Sequence, residues 1–215
     1  MKKIITRSTT GLLTSFTLLS VALAQTSPAP SPESLEARFW GSLYQEGGET
    51  FYCKKPFTQK SMLVTESYIY STSWIRDHLR CGTPKQCREE SPEYQRITAD
   101  LHNIVPADTR VDLERSTAVF EELPEAVPAG NCGLKRSFQI IEPSDDIKGD
   151  IARAILYMVH TYNLPLQGHL QQYQRWNSMD PPSPQEIERN RQIQKLQGNS
   201  NPFIDNPKAM DALAP

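Results

Sequence analysis

The sequence predicts a mixed α+β domain with few strands, many loops and helices concentrated late in the chain. Two observations carry this expectation. The last third shows helical periodicity with helix start and stop residues, whereas the middle, from about Phe51 to Val127, is irregular. That middle holds only short strand-like pieces, Met62-Leu63-Val64 and Tyr68-Ile69-Tyr70, between loops bounded by Pro and Cys.

In chain order, Lys2 and Lys3 open a charge-poor run from Gly11 to Ala22, and Ala22-Leu23-Ala24 matches an A-x-A cleavage pattern. The run is too short and too rich in Ser and Thr to span a membrane, so residues 1–24 are expected to be a cleaved secretory signal. Residues 25–34 are rich in Pro and Ser and are expected to be a disordered leader. A short helix is expected over Ser34–Tyr44, one domain over 35–207, and a C-terminal tail over 208–215 with little to anchor it beyond Phe203 and Ile204.

From Asp150 to Tyr162, Ile151, Ala154, Ile155, Met158, Val159 and Tyr162 recur at i, i+3, i+4, i+7, i+8 and i+11. That spacing predicts a helix with one buried face, and Asp150 in its first turn suits the helix dipole. Ser183-Pro184-Gln185-Glu186 reads as a capping box with Pro at the first helical position. The helix it starts runs to about Gln197 and stops at Gly198, with Ile187, Ile193 and Leu196 inward.

Four cysteines in an exported chain suggest two disulfides out of three possible pairings. Cys81 and Cys87 close a small loop, which makes them the local pair and leaves Cys53 with Cys132. The rival is a zinc site, but no C-x2-C knuckle or H-x3-H pair is present. The formal net charge is −2, and removing the leader with Lys2, Lys3 and Arg7 makes the chain more acidic still. The bulk basic footprint of a nucleic-acid binder is absent, so any polyanion site must be a local patch.

Longer patterns carry more information. They include Tyr70 to Trp74, Cys81 to Cys87, Ser91-Pro92-Glu93-Tyr94 and Asp100-Leu101-His102-Asn103 with Pro106. Glu142-Pro143, Lys148-Gly149-Asp150-Ile151-Ala152-Arg153-Ala154 and Tyr157-Met158 follow. Then come Trp176-Asn177, Asp180-Pro181-Pro182, Glu186, Arg189-Asn190, Gln197-Gly198-Asn199 and Asn201-Pro202-Phe203-Ile204-Asp205-Asn206-Pro207. These ordered, collinear blocks resemble the endonuclease I family over roughly residues 35–207. The resemblance implies a single-domain, disulfide-stapled fold built on a ββα-metal (His-Me finger) motif. It implies sequence-nonspecific hydrolysis of DNA and RNA phosphodiester bonds, with Mg²⁺ or another divalent cation, by a periplasmic or secreted monomer. In the family a histidine is the general base on water, a glutamate and an asparagine hold the metal, and an arginine in the cysteine loop supports the phosphate. Imidazole suits a base near neutral pH, Mg²⁺ takes oxygen ligands and offsets charge on the phosphate, and guanidinium binds phosphate with two bonds.

The chemical positions depart from that pattern. Counting back from Trp74 puts Ser67 at the family glutamate and Tyr68 at the histidine. Glu66 lies one place away, where a register slip would supply a carboxylate as metal ligand, but no histidine occurs between Met1 and Trp74. The cysteine-loop arginine aligns with Pro84, beside Lys85; Asp112 takes the metal asparagine position, ahead of Arg115; and Ser200 stands where a basic residue is common. Two functions follow. One is a metal-dependent nuclease, working or impaired. In it Asp112, with Glu66, holds Mg²⁺, Tyr68 or His102 handles the proton of water, and Arg115 or Lys85 holds the phosphate. The other is a pseudo-nuclease that keeps the fold as a nucleic-acid or protein binding module. His102 is otherwise a hydrogen-bonded structural histidine. Arg153 and Arg189 either line the nucleic-acid groove or lock helices together through Asp150, Glu186 or Asp180. Asn190 and Asn201 are expected to cap or brace loops and Trp176 to sit in the core. His78 is expected at the surface, and His160 and His169 carry no motif weight.

Overall fold

The computed structural model describes residues 32–214; the expected signal and most of the leader lie outside them. The helix expected over Ser34–Tyr44 forms as α1 (Pro32–Arg38) and runs into a wider π-turn, Phe39–Leu43, which buries Phe39 and Trp40. Strands β1 (Gly48–Glu49) and β2 (Pro56–Phe57) pair as a short ribbon. Strand β3 (Val64–Tyr68) bridges the two strand-like pieces of the sequence. Helices α2 (Thr72–Leu79), α3 (Pro84–Glu90) and α4 (Pro92–Thr98) follow. Strand β4 (Ile104–Asp108) then pairs antiparallel with β3, Ser67 opposite Val105 and Tyr68 opposite Ile104. Asp108 caps the next helix, α5 (Thr109–Arg115), by accepting from the Arg110 N–H. The second sheet has the order β5 (Val119–Phe120), β7 (Ile140–Glu142), β6 (Lys135–Ser137), with β5 parallel and β6 antiparallel to β7.

The late helices are α6 (Lys148–Tyr162), α7 (Leu170–Met179), α8 (Pro184–Gln197) and α9 (Pro202–Asp205). Helix α6 corrects the expectation of one buried face. Ala152, Arg153, Leu156 and Tyr157 are buried as well as Ile151, Ala154, Ile155 and Met158. A helix buried on every side is central rather than peripheral, and α7, α9 and the 3₁₀ turn Leu101–Asn103 pack around it. Its close approach to the α7–α8 loop requires Gly149, where a Cβ would lie 1.8 Å from the Asp180 carbonyl oxygen. At α8, Ser183 caps the Glu186 N–H and Gly198 ends the helix with φ 89°. The second half of the expected capping box is missing, because the Glu186 carboxylate goes to Arg153 instead. A complete capping box forms at α3, between Thr83 and Gln86. The C-terminal segment is anchored more firmly than expected: Met210 is buried, and Gln174 Nε2 donates to its carbonyl at 2.9 Å.

Both disulfides form as expected. Cys81–Cys87 joins α2's exit to α3, with α3 already helical from Pro84, and Cys53–Cys132 ties the β1–β2 region to the second sheet.

Arg153 is fully buried and bonded on every side. Its Nε and Nη2 take the two Glu186 oxygens at 2.8 and 2.6 Å, and Nη1 donates to Asn177 Oδ1 at 3.0 Å and to the Asp180 carbonyl at 2.7 Å. Asp150 lies 3.4 Å from Nη2. Asn201 Nδ2 donates to the Arg153 carbonyl, while Asn201 also caps α9, and Asn190 accepts from the Asn201 N–H. Arginine cannot shed its charge on burial, so these acceptors are obligatory. Breaking a buried pair from one side leaves uncompensated charge. Arg153→Met is expected to lower unfolding free energy by about 3–5 kcal/mol in urea denaturation. A loss within the surface range would show that the network carries no weight.

A second buried pair sets a pH dependence. Burial opposes ionisation of Glu142, but Lys148 Nζ at 2.8 Å, the Leu123 N–H and Lys135 overcome it and hold the carboxyl below the usual range. A depressed carboxyl stabilises the fold above its unfolded pKa of about 4.3, and that contribution disappears as pH falls through the folded value. Asp150 acts in the opposite sense, because burial and Glu186 raise it. Glu142→Gln should therefore narrow the stability difference between pH 7 and pH 3, read as urea midpoints of the two proteins. An unchanged difference would refute the linkage.

Candidate functional site

The candidate site lies where α5 packs against β3 and β4. Side chains alternate along a strand, so Ser67 faces one way while Glu66 and Tyr68 face the other. Ser67 is fully buried. It sits against Tyr52 and Arg115, themselves 2% exposed. The Tyr52 hydroxyl, Ser67 Oγ and Arg115 Nε are close enough to interact, yet none is aligned for a hydrogen bond. Asp112, half-buried on α5, is within electrostatic range of Tyr52, Tyr68 and Arg115.

Tyr68 packs against the hydrophobic cluster that contains Phe39, Trp40, Leu101 and Ile104. Burial, then the charge of Glu66, pushes its phenol above the ordinary tyrosine value. The hydroxyl is held protonated more firmly than in free tyrosine. Glu66 does not slip into the Ser67 position, since the pairing sets Glu66 opposite Pro106. Its carboxylate accepts from Trp40 Nε1 at 2.5 Å and Lys60 Nζ at 3.1 Å. Burial opposes these bonds, but they prevail and keep the carboxyl below its usual range. The metal role expected of Glu66 is thus corrected: its oxygens are committed on the far face of the strand.

Arg115 is also corrected. It does not reach solvent to hold a phosphate. Its Nη1 donates to the Ser116 carbonyl at 2.8 Å, its Nη2 donates to the Ile69 carbonyl, and the guanidinium lies over the rings of Trp74 and Phe120. It fastens the end of α5 to the chain leaving β3.

His102 is structural. It is 3% exposed and packs edge-on against Tyr157. Its Nε2 donates to the Asn199 carbonyl at 3.1 Å, because a carbonyl can only accept. The lone pair then falls on Nδ1, which is buried without a partner. A general base must reach the proton it takes, and burial, the leading cause, lowers the pKa of this ring as well. Asp100 beside it is no catalytic partner either. It accepts from the Tyr157 and Tyr162 hydroxyls at 2.6 Å each and from Gln197 Nε2 at 2.8 Å.

Neither arginine assigned to nucleic acid is available for it. Arg153 is the buried hub described above, and Arg189 donates to the Tyr44 hydroxyl and to the carbonyls of Leu101 and Ile104. Lys85 is exposed on α3, and Pro84 is that helix's first residue. Ser200 donates to Asp205, and His78, His160 and His169 are exposed. The structure therefore brings Ser67, Asp112 and Arg115 together, with Tyr68 one residue along. It separates them from His102, Arg153 and Arg189. The sequence reading missed Tyr52, whose place beside Ser67 is a long-range contact with no local signal.

Comparison with known proteins agrees with this scaffold. The family model described as Endonuclease I matches residues 44–208. An extracellular deoxyribonuclease of Aeromonas hydrophila is 33% identical over 87% of this chain and 96% of its own length. A periplasmic deoxyribonuclease of the same organism is 34% identical over 76% of this chain and 81% of its own. An extracellular ribonuclease of Bacillus subtilis (strain 168) is 33% identical over 66% of this chain and 52% of its own. The chain is periplasmic or secreted, as these relatives are, and it belongs to the endonuclease I family.

Proposed function

We propose that this chain is an exported nuclease-fold protein whose ligand is DNA or RNA and whose phosphodiester hydrolysis is disabled or residual. One observation carries the reading. The strand position that needs a metal carboxylate and an imidazole holds Ser67 and Tyr68, both neutral at physiological pH. The strand–strand–helix order of β3, β4 and α5 supports the ββα-metal reading of the scaffold.

The donors present do not make a site for a divalent cation. Asp112 is the carboxylate whose charge reaches Tyr52 and Arg115, the Ser67 oxygen is uncharged and buried, and Glu66 is bound to Trp40 and Lys60. Among the described residues no three His, Cys, Asp or Glu side chains are grouped to hold a metal ion. Mg²⁺ takes oxygen ligands in near-octahedral array, commonly one or two carboxylates with waters and substrate phosphate, and Asp112 alone would supply a carboxylate here. What the residues do supply is a fixed positive charge at Arg115, a half-buried carboxylate at Asp112, and a phenol that stays protonated at physiological pH and so has no phenolate to take a proton from water.

Half-exposed Asp112 favours a second reading, a working but rearranged nuclease. Cleavage of plasmid DNA and of RNA separates the two. The oxidised native protein, in Mg²⁺ and in chelator, is compared with a Ser67→Glu, Tyr68→His double variant whose folding is checked by circular dichroism. The added carboxylate would face Arg115. Replacing a missing general base should raise the rate by about 10²- to 10⁴-fold. Rapid metal-dependent cleavage by the native chain, abolished by Asp112→Ala, would overturn the proposal, and so would a folded double variant that gains nothing.

A further inference from the structure

Phe138 is 94% exposed. It sits in the two-residue turn of the β6–β7 hairpin, between Ser137 and Ile140, which face each other across the strands. The turn gives Phe138 a positive φ of 50°. Positive φ at the first position of such a turn suits glycine or asparagine, and for a bulky residue it is an outlier. Neither hydrophobic burial nor turn propensity accounts for a ring at this position. A local rule broken without burial in return points to binding.

The surroundings name the ligand. Arg136 Nε donates to the Phe138 carbonyl at 3.4 Å, and its Nη1 donates to the Glu114 carbonyl. Both bonds go to neutral backbone oxygens, so they fix the turn and leave the guanidinium charge uncancelled. The Glu114 carboxylate turns to Asn131 Nδ2 at 2.7 Å instead. An aromatic face beside such a charge suits a nucleotide: the base stacks on the ring and a phosphate meets the cation. The hairpin is pinned to α5 at Glu114, within one helical turn of Asp112 and Arg115. Strand β5, paired with β7, carries Phe120, whose ring lies against the Arg115 guanidinium. A strand whose base stacks on Phe138 therefore runs beside the candidate site. Bases in a duplex are stacked on one another and present no face without unstacking, whereas unpaired bases do. On the reading that the ligand is DNA or RNA, we propose that Phe138 is a base-stacking residue that, with Arg136, selects single-stranded over double-stranded nucleic acid.

Fluorescence anisotropy of labelled single-stranded and duplex oligonucleotides with the oxidised protein, in chelator so that nothing is cleaved, tests this. The native protein is expected to bind single strands more tightly than duplex. Phe138→Leu keeps apolar bulk and removes the ring. It should weaken single-strand binding about 5- to 150-fold, the range for one stacked base, and leave duplex binding unchanged. Phe138→Trp should bind at least as tightly as the native protein, with the emission of the added indole quenched by the oligonucleotide, a signature that a purely structural role does not give. Met62→Ala, at a side chain equally exposed but without a ring, should bind as the native protein does. These side chains are solvent-facing, and unchanged thermal melts confirm that each variant folds. Single-strand binding that Phe138→Leu leaves intact, or that Met62→Ala weakens as much, overturns the stacking role and leaves the nucleic-acid reading standing. So does a native protein that binds duplex as tightly as single strands. A native protein that binds no oligonucleotide overturns both, as does one held instead by anionic phospholipid vesicles through Phe138.

Discussion

Arg153 is the constraint on which the helical half depends. Its charge is permanent and its position is the centre of the molecule, so the surrounding chain must supply acceptors from several directions at once. Glu186 comes from α8, Asn177 from α7, Asp180 from the loop between them and Asp150 from the helix itself. Asn201 then reads the backbone of Arg153 and starts α9. Gly149 is part of the same constraint, since the loop carrying Asp180 can reach Arg153 only if α6 presents no side chain there. The residues that make the late sequence recognisable are thus mostly the wiring around one guanidinium.

The sheet half is held by contacts that are independent of any catalytic group. The β3–β4 pairing, the Asp108 cap and the Arg115 bonds to the Ser116 and Ile69 carbonyls all hold α5 against the strand pair. None of these contacts requires a catalytic group. Ser67 and Tyr68 carry no charge at physiological pH, and the backbone pairing that positions them does not depend on their side chains. The consequence is local: three buried polar atoms, on Tyr52, Ser67 and Arg115, lie together without aligned partners. Buried polar groups are normally paired, so this cluster is the weak point in the polar packing between strand and helix.

Legibility followed the range of the interactions. Helices α6 and α8 were readable because periodicity, Ser183, Pro184 and Gly198 are local signals. The two disulfides were readable because four cysteines and one short spacing leave a natural division. Strand β4 was missed: Ile104–Asp108 is five residues with a proline inside, and it becomes a strand only by pairing with β3 nearly forty positions earlier. The burial of α6 on all sides was missed for the same reason, since Ala152, Arg153 and Tyr157 look like an outer face until other helices cover them.

The sequence by itself determined the family, the disulfide pairing and the limits of the late helices, because these are properties of residue order. Tertiary structure alone decided the roles of the charged residues. Arg153, Arg189 and Arg115 are equally good phosphate ligands on paper. Each is bonded inside the fold because backbone carbonyls and carboxylates from distant segments meet it there. Glu66 and Ser67 are neighbours in sequence and opposites in space, because strand side chains alternate and the β3–β4 register sets which one faces Arg115.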